Sequence, residues 1–401
     1  MVRAAGVVGK AARPALPPMG MYNSCEIDYA ETDCAAEDDL MYADGYRYEV
    51  NFLTFAAHLT GPNSIVALLT HDSRRILQYV NIKNAVQDRG GVLNGTTLSG
   101  TASSPTSIGG DCSRIGYPFT NAGVVSCLAA TIDANPTAAA GFAGWYVYDE
   151  PGCPNQSIGY CAGTLAGGNY ENVQTLAAYI AGTGDTHMIF GVQIPSGVPN
   201  CAGGWSGSCA QTQINNLYSC NNQTTCLGNY PWITTKAAPN TGYDYYPIGA
   251  MPGKLSPDDV GKVAALTANT FASRYPAETV TYTAQAFSWW QERGGPVGPL
   301  GCTSYSVCPF PTTAQIQQLR DQALYYGNAA GYLPRIVFYY YWPDITCNGT
   351  NENYPGCNAT TNRATVKAAA FAPFPVSAPP VAVVAGQGAN VAMPRPASDL
   401  R

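Results

Sequence analysis

Two adjacent carboxylates, Asp149 and Glu150, are the residues whose type and position point most directly to chemistry. They end the run Gly-Trp-Tyr-Val-Tyr-Asp-Glu-Pro (144–151), which predicts a buried strand stopped by a proline. Desolvating two carboxylates at the mouth of a strand costs free energy, so acids placed there commonly handle protons or a cation. The alternative is an ordinary surface turn after a strand, and the run alone does not decide between the two.

More acids, amides and aromatic residues fall at the ends of the other predicted strands. Such a set suits a sugar, because apolar ring faces stack on Trp and Tyr while hydroxyl groups meet carboxylates and amides. For any single tryptophan, packing in a core or lid is the better explanation, and only the combination across several strand ends favours a site. Its members are Tyr22, Asn23, Glu49, Asn51, Asp244, Tyr246, Gln285, Trp289, Trp290, Tyr340, Trp342 and Asp344.

The elements that must position these residues alternate between strand and helix. Eight strands are predicted at 19–23, 48–55, 76–81, 142–148, 187–193, 243–248, 280–287 and 335–341, and helices at 38–44, 64–75, 124–134, 170–181, 256–274 and 313–329. This alternation predicts a (β/α)8 TIM barrel whose strand ends meet at the C-terminal face, where barrel active sites are built. A doubly wound open sheet would require a Gly-rich phosphate turn after an early strand, and the early strands lack one.

Domain boundaries follow from the same pattern. We expect residues 1–18 to form an N-terminal extension, 19–373 the barrel, and 374–401 a disordered tail rich in Pro, Ala and Val. Residues 1–18 lack an uninterrupted apolar h-region, so no secretory signal is evident.

Fourteen cysteines indicate an oxidising compartment. The simplest pairing joins consecutive cysteines into seven local clips, although sequence alone does not fix connectivity. The pairs would be 25 with 34, 112 with 127, 153 with 161, 201 with 209, 220 with 226, 302 with 308 and 347 with 357. Zinc is the alternative, but the chain has no CxxC spacing and its three histidines are not near cysteines.

Composition agrees with a secreted protein that meets neutral polymers. Charged residues make up only 11% of the chain, against a usual share of about 25%. The net charge of −6, without a Lys/Arg cluster, argues against a nucleic-acid partner, and no run of 18 apolar residues could span a membrane. Asn-x-Ser/Thr sequons at Asn94, Asn155, Asn222, Asn348 and Asn358 predict a glycoprotein where the host glycosylates.

Three strand motifs resemble those of glycoside-hydrolase-like (β/α)8 barrels of bacteria and fungi. They are the run 144–151 with its Asp-Glu-Pro end, Tyr-Asp-Tyr-Tyr-Pro-Ile (243–248) and Gln-Ala-Phe-Ser-Trp (285–289), and the resemblance covers roughly residues 19–345. In retaining barrel glycosidases strand four ends Asn-Glu, with the Glu as acid/base, and a Glu on strand seven is the nucleophile. Glu150 matches the first position, whereas Asp149 replaces the Asn and Gln285 stands near the nucleophile's place, where an amide cannot act.

Two mechanisms compatible with these residues remain open. Glu150 could be the general acid with a second carboxylate as base or nucleophile, for which Asp244 is the first choice and Asp344 and Glu292 the reserves. Alternatively, Asp149 and Glu150 resemble the pair of hexosaminidases that use substrate assistance. There the Asp orients the 2-acetamido group of the substrate, the Glu is the acid, and a tyrosine such as Tyr246 would steady the amide.

We therefore predict an extracellular, monomeric glycoside hydrolase that acts on a poly- or oligosaccharide without cofactor or metal. The alternatives are a non-catalytic carbohydrate-binding or cell-wall-associated barrel, for which Gln285 is the best evidence, and a cysteine-rich coat protein, which leaves the strand-end acids unexplained. The predicted catalytic residues are Glu150, Asp149 and Asp244. The predicted substrate-binding residues are Tyr22, Asn51, Tyr246, Gln285, Trp289, Tyr340 and Trp342.

Overall fold

The structure is a computed structural model, and it describes the eight strands and many of the helices that cover them. It describes residues 14–23, 31–51, 58–61, 64–73, 75–81, 108–149, 177–193, 240–249, 260, 264, 279–292, 295–296, 302–329, 331–340, 342–347 and 357–375.

Eight parallel strands pair in sequence order and close into a barrel, with the last strand beside the first. The predicted (β/α)8 barrel is thus confirmed, and the open doubly wound sheet is excluded. Closure is made by the pairing of Gly20 with Phe338, and the first two strands pair from Gly20–Tyr48 to Asn23–Asn51. The strands are β1 (Met19–Asn23), β2 (Tyr48–Asn51), β3 (Leu77–Asn81), β4 (Phe142–Asp149), β5 (Met188–Gln193), β6 (Asn240–Tyr245), β7 (Val280–Gln285) and β8 (Val337–Tyr340).

Helices separate the strands and begin at polar N-cap residues. The Ser64, Thr120 and Asn358 side chains each accept a hydrogen bond from a backbone N–H three residues later, which satisfies one of the free donors at the helix start. The helices are α1 (Glu31–Asp44), α2 (Ile65–Asp72), α3 (Ile108–Arg114), α4 (Asn121–Asp133), α5 (Pro136–Ala139), α6 (Trp289–Glu292), α7 (Thr313–Ala329), α8 (Trp342–Thr346) and α9 (Ala359–Ala370). Residues 177–182 are also helical.

The barrel interior is filled by side chains that alternate with outward-facing ones along each strand. Tyr79 and Phe190 meet edge to face with ring centroids 4.7 Å apart, and Phe338 stacks on Phe190 at 5.8 Å. Gly20 leaves room for this ring, because a Cβ there would lie 2.5 Å from Phe338. The buried interior cluster comprises Tyr22, Val50, Tyr79, Tyr146, Met188, Phe190, Val192, Ile336 and Phe338.

The outward faces of the strands pack against the helices in two further apolar clusters. One involves the outer faces of β1 and β6–β8 with α7 and α9, and the other involves β4 with α2 and α4. Arg320 of α7 is fully buried and donates hydrogen bonds to carbonyls at the C-terminal end of α9 and just past it, those of Ala369, Ala370, Ala372 and Pro373. Phe374, the first residue of the predicted tail, is only 8% exposed in this core, so the ordered region continues past the predicted boundary.

Three disulfides link described cysteines, and all three match the predicted consecutive pairs: Cys112–Cys127, Cys302–Cys308 and Cys347–Cys357. The other four predicted pairs include cysteines outside the described residues. Disulfides form and persist in oxidising environments. Among the described residues, the helices are too short or too polar for any of them to cross a bilayer.

Candidate functional site

The strand-four acids stand where β4 ends. Asp149 is the last residue of β4 and its backbone pairs with Val192 of β5, after a register shift between Tyr146 and Tyr148. Glu150 follows directly and lies outside the described residues. Asn51 closes β2 and pairs with Asn23 and Val80, although the structure does not describe its side chain. The backbone therefore brings Asp149 and Asn51 to the C-terminal ends of their strands.

Aromatic side chains form a continuous wall at the C-terminal ends of β1, β6, β7 and β8. We call this set, Tyr22, Tyr340, Tyr246, Phe287 and Trp289, the aromatic wall. Ring centroids are 5.7 Å apart between Tyr22 and Tyr340, 5.6 Å between Tyr340 and Tyr246, and 5.1 Å between Tyr246 and Phe287. Phe287 and Trp289 follow at 5.0 Å. The structure thus brings together four residues predicted from the sequence to contact substrate.

The wall has a buried back and an accessible front. Tyr22 and Phe287 are each 1% exposed, whereas Tyr246, Trp289 and Tyr340 are half-buried. The indole Nε1 of Trp289 donates a hydrogen bond of 3.2 Å to the carbonyl of Tyr246, which fixes the two rings relative to each other. A rigid aromatic surface with partly accessible faces can stack on the apolar face of a sugar ring at a low entropic cost.

Gln285 locks the turn that carries this wall. Its Oε1 accepts a 2.8 Å hydrogen bond from Ile248 N–H, and its Nε2 donates to the carbonyls of Ile248 (2.8 Å) and Phe287 (3.1 Å). Both amide hydrogens are therefore used, and the side chain is fully buried. This arrangement speaks against the predicted direct contact of Gln285 with substrate and gives the residue a structural role at the mouth.

Asp244 is a carboxylate deep in the same sector of the barrel. It lies on β6 opposite Thr283 of β7, two residues before Tyr246, and is only 2% exposed. Its neighbour on that face of β6, Gly242, has no side chain, and a Cβ there would meet Val192 at 2.6 Å and Thr281 at 2.5 Å. The strand therefore packs closely below Asp244, and the wall rises above it.

Two disulfide-closed loops flank the wall. The Ser288 hydroxyl donates to the carbonyl of Cys308, and the Gln291 amide donates to Cys357 Sγ at 2.9 Å. Gly249, just after β6, adopts φ +73° and leaves no room for a Cβ beside Cys308. The segment that carries Trp289 is thus held by both loops, which is the pre-organisation expected of a binding surface.

Trp342, predicted to line a sugar subsite, does not reach this mouth. It is fully buried in the apolar cluster outside the barrel, with the Arg363 guanidinium 5.8 Å from its ring centroid. The sequence placed it correctly just past β8, but α8 begins at Trp342 and turns the ring towards the core. Asp344, the reserve carboxylate, is also mostly buried in α8.

Glu49 likewise faces away from the mouth. Tyr48 and Val50, its neighbours on β2, belong to the interior cluster, so the two-residue period of a strand directs Glu49 outward. There it meets Asp38 of α1 and Asp72 of α2, two acids that the sequence reasoning did not single out. The sequence did contain a signal for this orientation. Tyr48 and Val50 alternate with Glu49, so if the two apolar residues face the barrel interior, Glu49 must face the helices.

Comparison with known proteins does not assign a family. No family model matches the chain, and no curated protein sequence matches it. A provisionally assigned alpha-L-fucosidase from Bacteroides thetaiotaomicron aligns over 92% of this chain and 98% of its own, with 10% identity and a TM-score of 0.46.

Two other solved structures have similar scores. A beta-glucosidase from Thermotoga maritima aligns over 82% of this chain and 88% of its own, with 11% identity and a TM-score of 0.45. A family 39 glycoside hydrolase from Bacteroides cellulosilyticus covers 89% of this chain, with 10% identity and a TM-score of 0.42; this chain spans 65% of its length. At such scores the likeness carries no argument about activity; the chain is a (β/α)8 barrel whose structural neighbours include glycoside hydrolases.

Proposed function

We propose that the protein is a secreted glycoside hydrolase that binds a poly- or oligosaccharide at the C-terminal mouth of its barrel. The observation that carries this proposal is the aromatic wall beside the buried carboxylate of Asp244. Partly accessible aromatic faces over a polar, buried acid fit a substrate that is apolar on its ring faces and polar at its edge. The disulfides near the mouth support action outside the reducing cytosol.

Glu150 is the proposed general acid, which protonates the oxygen of the leaving sugar. Asp149, one residue earlier at the end of β4, orients the substrate or raises the pKa of Glu150 through its negative charge. Asp244 is the proposed second carboxylate, which activates water or attacks the anomeric carbon. If the substrate carries a 2-acetamido group, that group is the nucleophile instead, Asp149 orients it, and Tyr246 steadies the amide. Neither route requires a cofactor.

The test is release of reducing sugar from a panel of polysaccharides and N-acetylated glycans. Glu150→Gln should lose about 10²–10⁴-fold in turnover on natural substrates, since it removes a general acid. Aryl glycosides with a very good leaving group need no protonation, so on these the variant should retain most of the wild-type rate. Asp133→Asn, which changes an exposed acid at the end of α4, before the N-terminal end of β4, is the matched control. Equal turnover of wild type and Glu150→Gln on all substrates would remove Glu150 from the chemistry.

Gln285 favours one other function, a carbohydrate-binding barrel without catalysis. It stands near the place of the strand-seven nucleophile in the glycosidases that its strand motifs resemble, and its amide is fully used by the backbone. A binder would release no sugar from any substrate, would be retained on an insoluble glycan, and would keep its affinity in Glu150→Gln. Retention that Trp289→Ala abolishes would then assign the aromatic wall to binding alone.

A further inference from the structure

Three buried carboxylates lie together outside the barrel, away from the proposed sugar site. We call Asp38, Glu49 and Asp72 the acid cluster. Asp38 comes from α1, Glu49 from the outer face of β2 and Asp72 from the last turn of α2, and they are 2%, 0% and 1% exposed. Burying acids costs several kcal/mol each unless a counter-charge or a set of donors compensates. The cluster therefore calls for a partner.

The carboxylates are close enough to share a single ion. One oxygen of each lies within 4.8 Å of the others. In an equilateral arrangement, such oxygens are at most about 2.8 Å from a common centre, only slightly outside the 2.3–2.6 Å of calcium–oxygen bonds. Small side-chain rotations therefore suffice to bring all three onto one ion.

Two buried amides, Asn23 and Gln78, complete the surroundings, and each has a polar atom without a hydrogen-bond partner in the described part of the chain. Asn23, fully buried at the end of β1, is near enough to lower the pKa of Glu49, yet neither polar atom of its amide makes a hydrogen bond of ordinary geometry among the described residues. Gln78 of β3 donates through Nε2 to Glu49 (2.6 Å) and Asp72 (2.8 Å), but its Oε1 also lacks a partner in the described part of the chain.

The cluster has more hydrogen-bond acceptors than donors. Five buried oxygens of this group are without a donor in the described part of the chain: Asp38 Oδ1 and Oδ2, Glu49 Oε1, Gln78 Oε1 and Asn23 Oδ1. A proton on Asp38 would supply one donor, to Glu49 or Asp72, and would leave the remaining acceptors unsatisfied. A cation with several coordination positions would satisfy the carboxylate oxygens together, and the Asn23 amide beside Glu49 offers it a further oxygen.

The charges around the cluster are also unbalanced. All three carboxyl groups are buried, whereas His71 and Arg75, the basic residues that act on Asp72, are partly exposed and both contact the exposed Asp39. Among the described residues, no cation is buried next to the cluster in the way that Arg320 is buried beside the carbonyls after α9.

We propose that the acid cluster is a binding site for calcium, with Asn23 as an amide ligand and with Gln78 holding Glu49 and Asp72 in place through its Nε2. An oxygen-only set suits a hard cation and does not suit zinc, which prefers nitrogen and sulfur. Calcium takes six to eight oxygens with flexible geometry, which the carboxylates and the Asn23 amide can supply without water. Magnesium demands near-ideal octahedral geometry and gives up its waters reluctantly, so a set of buried side-chain oxygens with flexible geometry suits it less well. The ion would join β1 and β2 to α1 and α2, and so stabilise the fold without entering the chemistry at the mouth.

The first test uses the wild-type protein and needs no variant. The protein is first stripped of metal with a chelator, and the chelator is then removed. Thermal unfolding is followed without metal, with about 1 mM calcium and with about 1 mM magnesium. Calcium should raise the Tm by at least about 3 °C, more as its concentration rises, whereas magnesium should have a smaller effect. Elemental analysis after dialysis against calcium and then buffer should find a single calcium ion per chain.

The variants Glu49→Gln and Asp72→Asn keep the side-chain shapes but remove ligand charge. Each should lose most of the calcium-dependent shift in Tm, while Asp133→Asn should keep all of it. No calcium retention and equal Tm with and without calcium in the wild type would overturn the proposal, and the acids would then share protons. A shift that both variants retain in full would place the ion elsewhere, and an equal or larger shift with magnesium would overturn the choice of calcium.

Discussion

The aromatic wall and the acid cluster are built from neighbouring strands of one barrel yet differ in almost every property. The wall lies at the strand ends, presents half-buried rings, and is tied by hydrogen bonds from Gln285 and Trp289. The cluster lies between β2 and two helices, is fully buried, and holds more acceptors than donors. The aromatic wall, whose backbone is held by hydrogen bonds, is suited to bind a neutral ligand. The acid cluster, whose carboxylate oxygens outnumber the hydrogen-bond donors around them, is suited to bind a cation.

The largest expected effect separates the chemistry at the mouth from its structural support. Asp244→Asn keeps the size of a buried side chain but removes its charge, so we expect turnover to fall about 10²–10³-fold, since the transition state loses a carboxylate. The rate of sugar release from the best substrate of the panel, with Tm as a check on folding, measures this. Full activity in Asp244→Asn would shift the second-carboxylate role to Asp344 or Glu292.

The next effect tests whether Gln285 is a lock or a lost nucleophile. Gln285→Glu removes both donors and sets a carboxylate against the carbonyls of Ile248 and Phe287, so we expect a loss of about 2–4 kcal/mol in the free energy of unfolding and no gain in turnover. Urea unfolding measures the loss.

Gln315→Glu is the control for that change. Gln315 accepts a 2.9 Å hydrogen bond from Thr312 N–H at the start of α7, and a glutamate can do the same, so its stability should stay near that of the wild type. A stable Gln285→Glu protein with faster sugar release would contradict the structural role.

A smaller effect concerns the wall itself. Trp289→Ala removes the outermost ring and should raise KM about tenfold, which corresponds to roughly 1.4 kcal/mol of binding free energy, with less change in kcat. Trp290→Ala removes a ring that is not part of the wall and serves as the control. Equal KM values for the two variants would show that stacking at Trp289 does not hold the substrate.

The smallest effect concerns Asp185, a carboxylate outside the acid cluster that serves as a reference for it. Burial acts to raise the pKa of Asp185, but hydrogen bonds from the His187 N–H and ring and from the Trp145 indole outweigh it and lower the pKa. Its contribution to stability is therefore complete above the pKa of the unfolded state and is lost as the pH falls through the lower, folded value.

Asp185→Asn should accordingly cost about 1 kcal/mol near neutral pH and less as the pH falls below the pKa of an ordinary aspartate, as measured by urea unfolding across that range. A loss that is independent of pH would show that Asp185 acts through shape and not through charge.

Much of this architecture could be predicted from residue patterns. β1 and α7 have the predicted bounds, since apolar runs and caps mark them clearly. β6 begins three residues before its prediction, at Asn240, because Asn240, Thr241 and Gly242 are polar or small and gain their strand conformation from pairing with β5 and β7. α9 was not predicted, because its alanine-rich sequence has weak periodicity and its stability depends on packing against α7.

The sequence predicted which residues lie at the strand ends, but it did not predict which face of the barrel each side chain would point to. Tyr22, Tyr246, Trp289 and Tyr340 converge because parallel strands in a barrel end at one rim. Trp342 and Glu49 sit at equally suggestive positions in the sequence, but a helix start turns one and strand alternation turns the other towards the helices. The direction of a side chain depends on local backbone geometry, which the spacing of residue types alone did not reveal.

The buried Arg320 makes the completion of the fold depend on residues 369–373. Its guanidinium needs the carbonyls of residues 369–373, and the barrel itself closes only when β8 reaches β1. During synthesis, the barrel therefore stays open until almost the whole described chain has left the ribosome. The Cys112–Cys127 and Cys302–Cys308 disulfides precede β8 in the chain and span few residues, so each can form before the barrel closes. A chain truncated before Pro373 would carry these two disulfides but would lack one of the carbonyls that the Arg320 guanidinium binds.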